Sequence, residues 1–336
     1  MPQIHPPPAV VGLSESEPLA SAIAREAGLG RLPIEERPFD GGEFKLRPLE
    51  SARGRSLFVV QSLAGTEQAP ASARLLRLLF LLQSLRDAGA DARVVLLPYF
   101  AFARKDRRTQ LRDPVTSRHV AELLEAAGAS GLIGLDVHNP AAFDNAFRIP
   151  TIHLSALPML VHHYLHHAAA DRALTVVSPD VGGIKRAQLF REQLAAQSGG
   201  EVGLAFLEKR RAKGIVSGGT LAGEIAGRTA LVLDDLCATG TTLIRAAAAC
   251  REGGATSVQV AVTHTPLVAG VSALIGAESI SHITVTDSVG AMLPSALLRA
   301  AHSRLSLLPV APLFGQTLRR MLTAEPVAPL LERWPA

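Results

Sequence analysis

Two adjacent carboxylates and a group of hydroxyls follow a short apolar run in the second half of the sequence. Residues 230–242 read ALVLDDLCATGTT, and a helical pattern begins near residue 243. Free backbone N–H groups and the positive end of a helix dipole favour a phosphate at such a turn. Carboxylates beside it can accept hydrogen bonds from vicinal ribose hydroxyls. The pattern therefore indicates a sugar phosphate site, made of Asp234, Asp235, Thr239, Gly240, Thr241 and Thr242.

A structural interpretation of the same residues stays open. The two acids could simply close a buried strand, and the threonine-rich turn could merely cap the next helix. The turn is not a Walker loop, because GxxxxGK[ST] occurs nowhere in the chain.

Two basic clusters could bind further phosphate groups. PYFAFARKDRR at 98–108 contains Arg104 and Lys105, and EKRRAK at 208–213 contains Lys209 and Arg211. Arginine can grip phosphate oxygens through two parallel hydrogen bonds. Cations on a mobile loop also suit a lid that neutralises a transferring phosphoryl group. Both clusters are equally compatible with ordinary solvated loops.

Two single residues are candidates for holding a cation. Asp180 lies in SPDVGGIKRA at 178–187, where an acid follows a strand pattern, and such a carboxylate can bind Mg²⁺ directly or through water. His138 lies in DVHN at 136–139, although a lone histidine is most often structural. Four further histidines form two i,i+4 pairs, for which we favour a solvated helix face: His162, His163, His166 and His167.

The elements that must position these residues alternate between strand and helix patterns. Apolar or β-branched runs such as 131–135 and 174–178 alternate with helical patterns such as 71–88 and 185–196. This alternation predicts an α/β fold with mainly parallel sheets flanked by helices. Ligands of such sheets bind beyond the carboxyl ends of the strands, where the candidate residues lie. Two similar halves meeting near residues 151–158 would suit the length.

Composition narrows the functional class. The chain has 336 residues, enough for two domains, with 48% hydrophobic and 19% charged residues, so we expect a globular protein. Two cysteines and no apolar core in residues 1–20 favour the cytoplasm. The apolar run at 75–85 is too short for a membrane span. A net charge of +4 with only 4% aromatic residues suits small polyanions better than nucleic acid.

Taken together, the motifs resemble those of ribose-phosphate pyrophosphokinases, which make phosphoribosyl pyrophosphate (PRPP). The phosphate loop alone is also similar to that of type I phosphoribosyltransferases, but these would not need FDGGE at 39–43 or the segment at 98–108. SPDVGGIKRA and the KRR at 209–211 also match the pyrophosphokinase motifs. The resemblance implies two phosphoribosyltransferase-like domains: residues 1–155 with the ATP-contacting elements, and residues 156–336 with the ribose 5-phosphate loop and the lid.

The resemblance also implies an activity and residue roles. The chain would transfer the diphosphoryl group of ATP to the C1 hydroxyl of ribose 5-phosphate with Mg²⁺, giving PRPP and AMP. His138 and Asp180 would serve the metal, and Lys209 and Arg211 would stabilise the transition state. A homo-oligomer with its nucleotide site at a subunit interface is expected. The implied ATP-binding residues are Phe39, Asp40, Glu43, Arg104, Lys105 and Asp106.

Several positions depart from the family pattern. Two alternatives therefore stay open: a catalytically weak regulatory homologue of a true synthetase, and a diphosphokinase for a different sugar phosphate. Substitutions at the family's regulatory serines, Pro326 and Ala328, also put allosteric control in question. The other departures are Gly41, Lys105, Ala141 and Ala238.

Overall fold

The described residues form two compact units. A computed structural model describes residues 6–167, 173–212, 215–289 and 303–334, without the side chains of residue 167 and residues 209–219. The first unit comprises the described parts of Met1–Leu154, Ser288–Ala291 and Pro309–Val327. The second comprises those of Ser155–Asp287, Met292–Leu308 and Ala328–Ala336.

The first unit is built on a six-stranded parallel sheet with the strand order β2-β1-β5-β6-β7-β8. Its strands are β1 (Ala9–Gly12), β2 (Gly30–Arg31), β5 (Ser56–Val60), β6 (Ala92–Leu97), β7 (Gly131–Leu135) and β8 (Thr151–Leu154). Its helices are α1 (Glu17–Ala27), α2 (Ala71–Asp87), α3 (Thr116–Ala126) and α4 (Pro140–Ala146). Every residue of β7 is buried, as expected where helices cover both faces of a parallel sheet.

A separate hairpin, β3 (Ile34–Pro38) and β4 (Phe44–Pro48), carries FDGGE at its turn. Pro38 pairs with Phe44, and the Phe39 N–H donates to the Glu43 carbonyl oxygen at 2.8 Å. Gly41 and Gly42 have φ values of +76° and +87°, which residues with a side chain rarely adopt. The glycine pair is therefore required by the turn itself.

The second unit is built on a seven-stranded sheet with the order β11-β10-β9-β12-β13-β14-β15. Its strands are β9 (Leu174–Ser178), β10 (Val202–Ala212), β11 (Ile215–Ala222), β12 (Thr229–Leu236), β13 (Ser257–His264), β14 (His282–Thr286) and β15 (Leu305–Leu308). Its helices are α5 (Leu157–His167), α6 (Ile184–Ser198), α7 (Thr241–Glu252) and α8 (Val268–Gly276). Only β11 runs antiparallel to its neighbour among the described strands of this sheet. The predicted α/β class with mainly parallel sheets flanked by helices is confirmed.

A later part of the chain completes the first unit. Helix α9 (Ala311–Leu322) packs along α1, with Leu313, Phe314 and Leu318 buried. A short helix, α10 (Pro329–Glu332), belongs to the second unit instead. The division of functions between residues 1–155 and 156–336 stays a prediction.

The segment expected to be a lid loop has a different backbone. The basic cluster at 208–213 was expected to lie on a mobile loop, but β10 continues through Ala212 and β11 returns along it. Glu208 pairs with Thr220, so the antiparallel partner supplies the backbone hydrogen bonds that extend the strand beyond its apolar part.

Candidate functional site

The threonine-rich turn joins β12 to α7, as the sequence pattern predicts. Gly240 precedes the helix with φ +80°, and the Thr239 and Thr241 hydroxyls lie 3.1 Å apart. The three threonines of the turn are exposed, while Gly240 is buried. The first N–H groups of a helix have no partner within it, so the start of α7 and the exposed hydroxyls can both donate to a bound group. We call residues 237–242 the phosphate loop.

The acidic pair before this loop lies against one arginine. Arg186 Nη1 lies 3.0 Å from Asp235 Oδ1 and 3.7 Å from Asp234 Oδ1. The Asp235 N–H also donates to Asp234 Oδ1 at 2.9 Å. Burial and the neighbouring Asp235 carboxyl raise the pKa of Asp234 well above its usual value, while Arg186 opposes that rise.

Arg186 was not among the predicted site residues. It belongs to SPDVGGIKRA, so the signal was present in the motif, but only the contact between α6 and the end of β12 reveals its partners. Its guanidinium compensates charge that would otherwise be concentrated on two adjacent carboxylates.

Asp180 follows β9 and caps the turn that leads into α6. Its Oδ1 accepts hydrogen bonds from the N–H groups of Gly182 at 3.0 Å and Gly183 at 3.2 Å. The Ser178 hydroxyl donates to the Asp180 carbonyl oxygen at 2.6 Å. These contacts fix the carboxylate where a cation ligand was predicted.

Sheet order brings Asp180, the acidic pair and the phosphate loop to one edge. Strands β9 and β12 are parallel neighbours, with Val177 paired to Val232. Their carboxyl ends therefore meet, and the residues that follow them lie together. All the predicted residues of the sugar phosphate site belong to this edge of the second unit.

In the first unit, the basic segment after β6 is held in a defined loop. Lys105 Nζ lies 2.7 Å from Asp113 Oδ2, which also accepts hydrogen bonds from the Thr109 hydroxyl at 2.6 Å and the Gln110 N–H at 3.1 Å. Lys105 and these donors hold the pKa of Asp113 far below its usual range. Arg104 is exposed.

Asn139 ties that loop to α4. Its amide nitrogen donates to Asp106 Oδ2 at 2.7 Å, while its amide oxygen accepts from the Ala142 N–H at 3.2 Å and caps the helix. His138, the preceding residue, is exposed. The sequence did not single out Asn139, because its role depends on a partner more than thirty residues earlier.

The hairpin tip presents Phe39 to solvent. The residue is 45% exposed, and the Arg37 guanidinium lies 5.3 Å from the ring centroid. Asp40 and Glu43 flank the glycine turn and are also exposed. The alternative interpretation of FDGGE as a hairpin turn describes the backbone, and nucleotide binding by these residues stays a prediction.

Lys209 and Arg211 lie on β10, on either side of an irregularity in its pairing with β11. Their side chains lie outside the described residues, as does the His167 side chain. The predicted catalytic roles of Lys209 and Arg211 therefore remain predictions.

Two features are absent from the described residues. These residues contain no group of three or more His, Cys, Asp or Glu side chains placed to hold a metal ion together. No helix in this part of the chain is long and apolar enough to cross a membrane. The proposed metal residues are instead divided, with His138 in the first unit and Asp180 in the second.

Comparisons with known proteins match both halves of the chain. Residues 9–128 match the N-terminal domain of ribose phosphate pyrophosphokinase, and residues 160–280 match the phosphoribosyl transferase domain.

Nearly full-length relatives carry the pyrophosphokinase name. A ribose-phosphate pyrophosphokinase of Corynebacterium ammoniagenes is 34% identical over 322 residues, covering 96% of each chain. That of Hyphomonas neptunium is 33% identical over 326 residues, covering 96% of this chain and 99% of its own. The crystal structure of phosphoribosylpyrophosphate synthetase from Mycobacterium smegmatis matches with a TM-score of 0.82 and 28% identity, covering 95% of this chain and all of that one.

The motifs, the two units and the nearly full-length relatives agree, and the resemblance found in the sequence is confirmed. The chain belongs to the ribose-phosphate pyrophosphokinase family.

Proposed function

We propose that this chain transfers the diphosphoryl group of ATP to ribose 5-phosphate. The C1 hydroxyl oxygen of the sugar attacks the β-phosphorus of ATP and its proton passes to solvent. The bond between the β-phosphorus and the oxygen that bridges to the α-phosphorus breaks, and PRPP and AMP leave. The observation that carries the proposal is the edge formed by β9 and β12, where an acidic pair, a capped carboxylate and a phosphate loop lie together. Its donors and acceptors match a phosphorylated ribose.

In this proposal the phosphate loop binds the 5-phosphate of the sugar. Its helix N–H groups and the exposed threonine hydroxyls supply donors at the positive end of α7. Asp234 and Asp235 accept hydrogen bonds from the ribose hydroxyls, and Arg186 holds the two carboxylates in place. The residues thus orient the sugar, which is the main requirement of a phosphoryl transfer.

Magnesium is the proposed metal, and the donors present fit it. Mg²⁺ prefers oxygen ligands and is often held by one or two carboxylates together with substrate phosphates, so it needs no all-protein cage. Asp180 supplies a carboxylate fixed by two backbone N–H groups, and His138 is the second residue proposed to serve the metal. When bound with ATP, the ion would neutralise charge on the phosphates.

ATP is the proposed second substrate. Arg104, Lys105 and Asp106 would hold it from one loop, and Phe39, Asp40 and Glu43 from the hairpin tip. Lys209 and Arg211 would stabilise the charge of the transferring group. In this proposal the chain also forms a homo-oligomer in the cytoplasm, and the nucleotide site lies at a subunit interface.

The test is to incubate the pure protein with ATP, Mg²⁺ and ribose 5-phosphate and to measure AMP and PRPP. Formation of both in equal amounts supports the proposal. If the folded protein binds ribose 5-phosphate but forms neither product, the regulatory alternative replaces it. If products form only from another sugar phosphate, the chain is a diphosphokinase of altered specificity.

A further inference from the structure

The phosphate loop packs against helix α8, and Gly270 lies in the contact. A Cβ atom at residue 270 would lie 2.5 Å from the carbonyl oxygen of Ala238 and 3.1 Å from that of Cys237. Both distances are inside van der Waals contact, and both involve backbone atoms that cannot rotate away. Any side chain at residue 270 would therefore displace the loop or the helix.

The contact is reciprocal. A Cβ atom at Gly240 would lie 3.1 Å from the Gly270 carbonyl oxygen and 3.4 Å from the Ala273 Cβ atom. Gly240 therefore meets the same face of α8 that Gly270 presents to the start of the loop. With φ +80°, Gly240 is also restricted by its backbone conformation.

The loop is tied down at its first residue as well. The Cys237 N–H donates to the His264 carbonyl oxygen at 2.8 Å, at the end of β13. This hydrogen bond fixes the Cys237 end of the loop, and α7 continues from the other end. Contact with α8 fixes the position of the loop backbone between these two ends. A shift of α8 away from the loop would move the N–H groups that face the substrate.

We propose that Gly270 is a positioning residue, which sets the depth of the phosphate loop and thereby the affinity for the phosphate group of the sugar. The proposal rests on the proposed function, since it assigns the sugar phosphate to this loop. The close contacts of residue 270 are with backbone carbonyl groups of the loop, so in this proposal Gly270 acts on the substrate through the loop. Its effect should therefore appear in the handling of ribose 5-phosphate and not in that of ATP.

The test compares Gly270→Ala with Gly276→Ala, in which the same change is made on the same helix. A Cβ atom at residue 276 would meet nothing within 4 Å. For Gly270→Ala, we expect the KM for ribose 5-phosphate to rise by about 10- to 100-fold, with the KM for ATP within about twofold of the parent. Gly276→Ala should leave both within about twofold. Unchanged KM values in folded Gly270→Ala, or an equal rise in both, would overturn the proposal.

Two additional measurements keep the test decisive. If Gly270→Ala does not fold, Ala273→Val takes its place, because residue 273 meets the Gly240 end of the loop, and the same KM difference is expected. If the parent forms no PRPP, the proposed function fails, and titration calorimetry with ribose 5-phosphate tests the loop instead. Binding about tenfold weaker than that of Gly276→Ala supports the role of Gly270. Equal binding, or no binding by the parent, refutes it.

Discussion

The guanidinium of Arg186 lies 3.0 Å from the Asp235 carboxylate and 3.7 Å from that of Asp234. One cation thus serves two acids that are adjacent in sequence and mostly buried, with side-chain exposures of 21% for Asp234 and 9% for Asp235. Removing it would leave two negative charges close together with little water to screen them. The arrangement links α6 to the two carboxylates that are proposed to orient the sugar.

Replacement of Arg186 should therefore impair the use of ribose 5-phosphate. For Arg186→Gln, we expect kcat/KM for ribose 5-phosphate to fall by about 10- to 150-fold, which corresponds to about 1.5–3 kcal/mol for a charged hydrogen bond. Steady-state kinetics would measure it. Arg191→Gln is the control on the same helix, because Arg191 pairs with its neighbour Glu192, at 3.5 Å, and not with the acidic pair in the described structure. An unchanged kcat/KM in Arg186→Gln would contradict the role.

Ionisation of the Asp234 carboxyl should lower the free energy of unfolding as the pH rises. Because its folded pKa is raised, the folded chain keeps a proton that the unfolded chain releases near pH 3.9. The free energy of unfolding therefore falls as the pH rises from there toward the folded pKa, and stays lower above it. In Asp234→Asn this pH dependence should disappear.

Thermal unfolding measured across pH would show this effect. Relative to the parent, Asp234→Asn should unfold at a higher temperature at neutral pH, by about 2–4 °C per kcal/mol gained, while losing sugar phosphate turnover. The exposed Asp87, with a side chain 77% exposed, provides the control variant Asp87→Asn. Parallel stability curves for parent and Asp234→Asn would show that the carboxyl is not destabilising.

Asp180 can be tested separately as a metal ligand and as a helix cap. Asp180→Asn keeps an oxygen for the Gly182 and Gly183 N–H groups but loses the charge, whereas Asp180→Ala loses both. We expect both variants to need about 10- to 100-fold more Mg²⁺ for half-maximal activity. Only Asp180→Ala should also lose about 1 kcal/mol of stability. A parental Mg²⁺ titration in Asp180→Asn would remove Asp180 from the metal site.

The ion pair between Lys105 and Asp113 raises the question of whether Lys105 contacts ATP or shapes the loop. If it shapes the loop, Lys105→Gln and Asp113→Asn should each raise the KM for ATP, by about tenfold, and the double variant should be no worse. The KM for ribose 5-phosphate should stay unchanged. Additive effects in the double variant would instead indicate that Lys105 has a contact of its own.

Replacement of Lys209 should lower the turnover number, kcat. For Lys209→Ala, we expect kcat to fall by about 10²- to 10³-fold, because a charge that stabilises the transition state is lost, with the unfolding temperature unchanged. Lys213 belongs to the same basic cluster and serves as the control. Near-parental kcat in Lys209→Ala would exclude this role.

Where the sequence carried a continuous apolar run, the strand could be predicted from it. The bounds predicted for β7 and β9 match those observed, because strands buried on both faces are rich in apolar and β-branched residues. The phosphate loop was equally predictable, since its strand, glycine and helix start are all local signals.

Features that depend on distant partners could not be predicted. The basic end of β10 is strand only because β11 pairs with it, and its charged residues resemble those of a loop. Arg186 and Asn139 acquire their roles from Asp235 and Asp106, which lie far away in sequence. The close contact between Gly270 and the phosphate loop is possible only because glycine has no side chain. No residue pattern in the sequence indicates such a contact.

The position of α9 in the first unit has a consequence for synthesis on the ribosome. Residues 6–154 can form the parallel sheet early, but the face of α1 that α9 covers stays open until residues 309–327 have been made. The second unit's sheet is translated almost entirely in that interval. The nascent chain therefore exposes the uncovered face of α1 while the core of the second unit forms. A fragment ending at residue 155 would expose that face permanently.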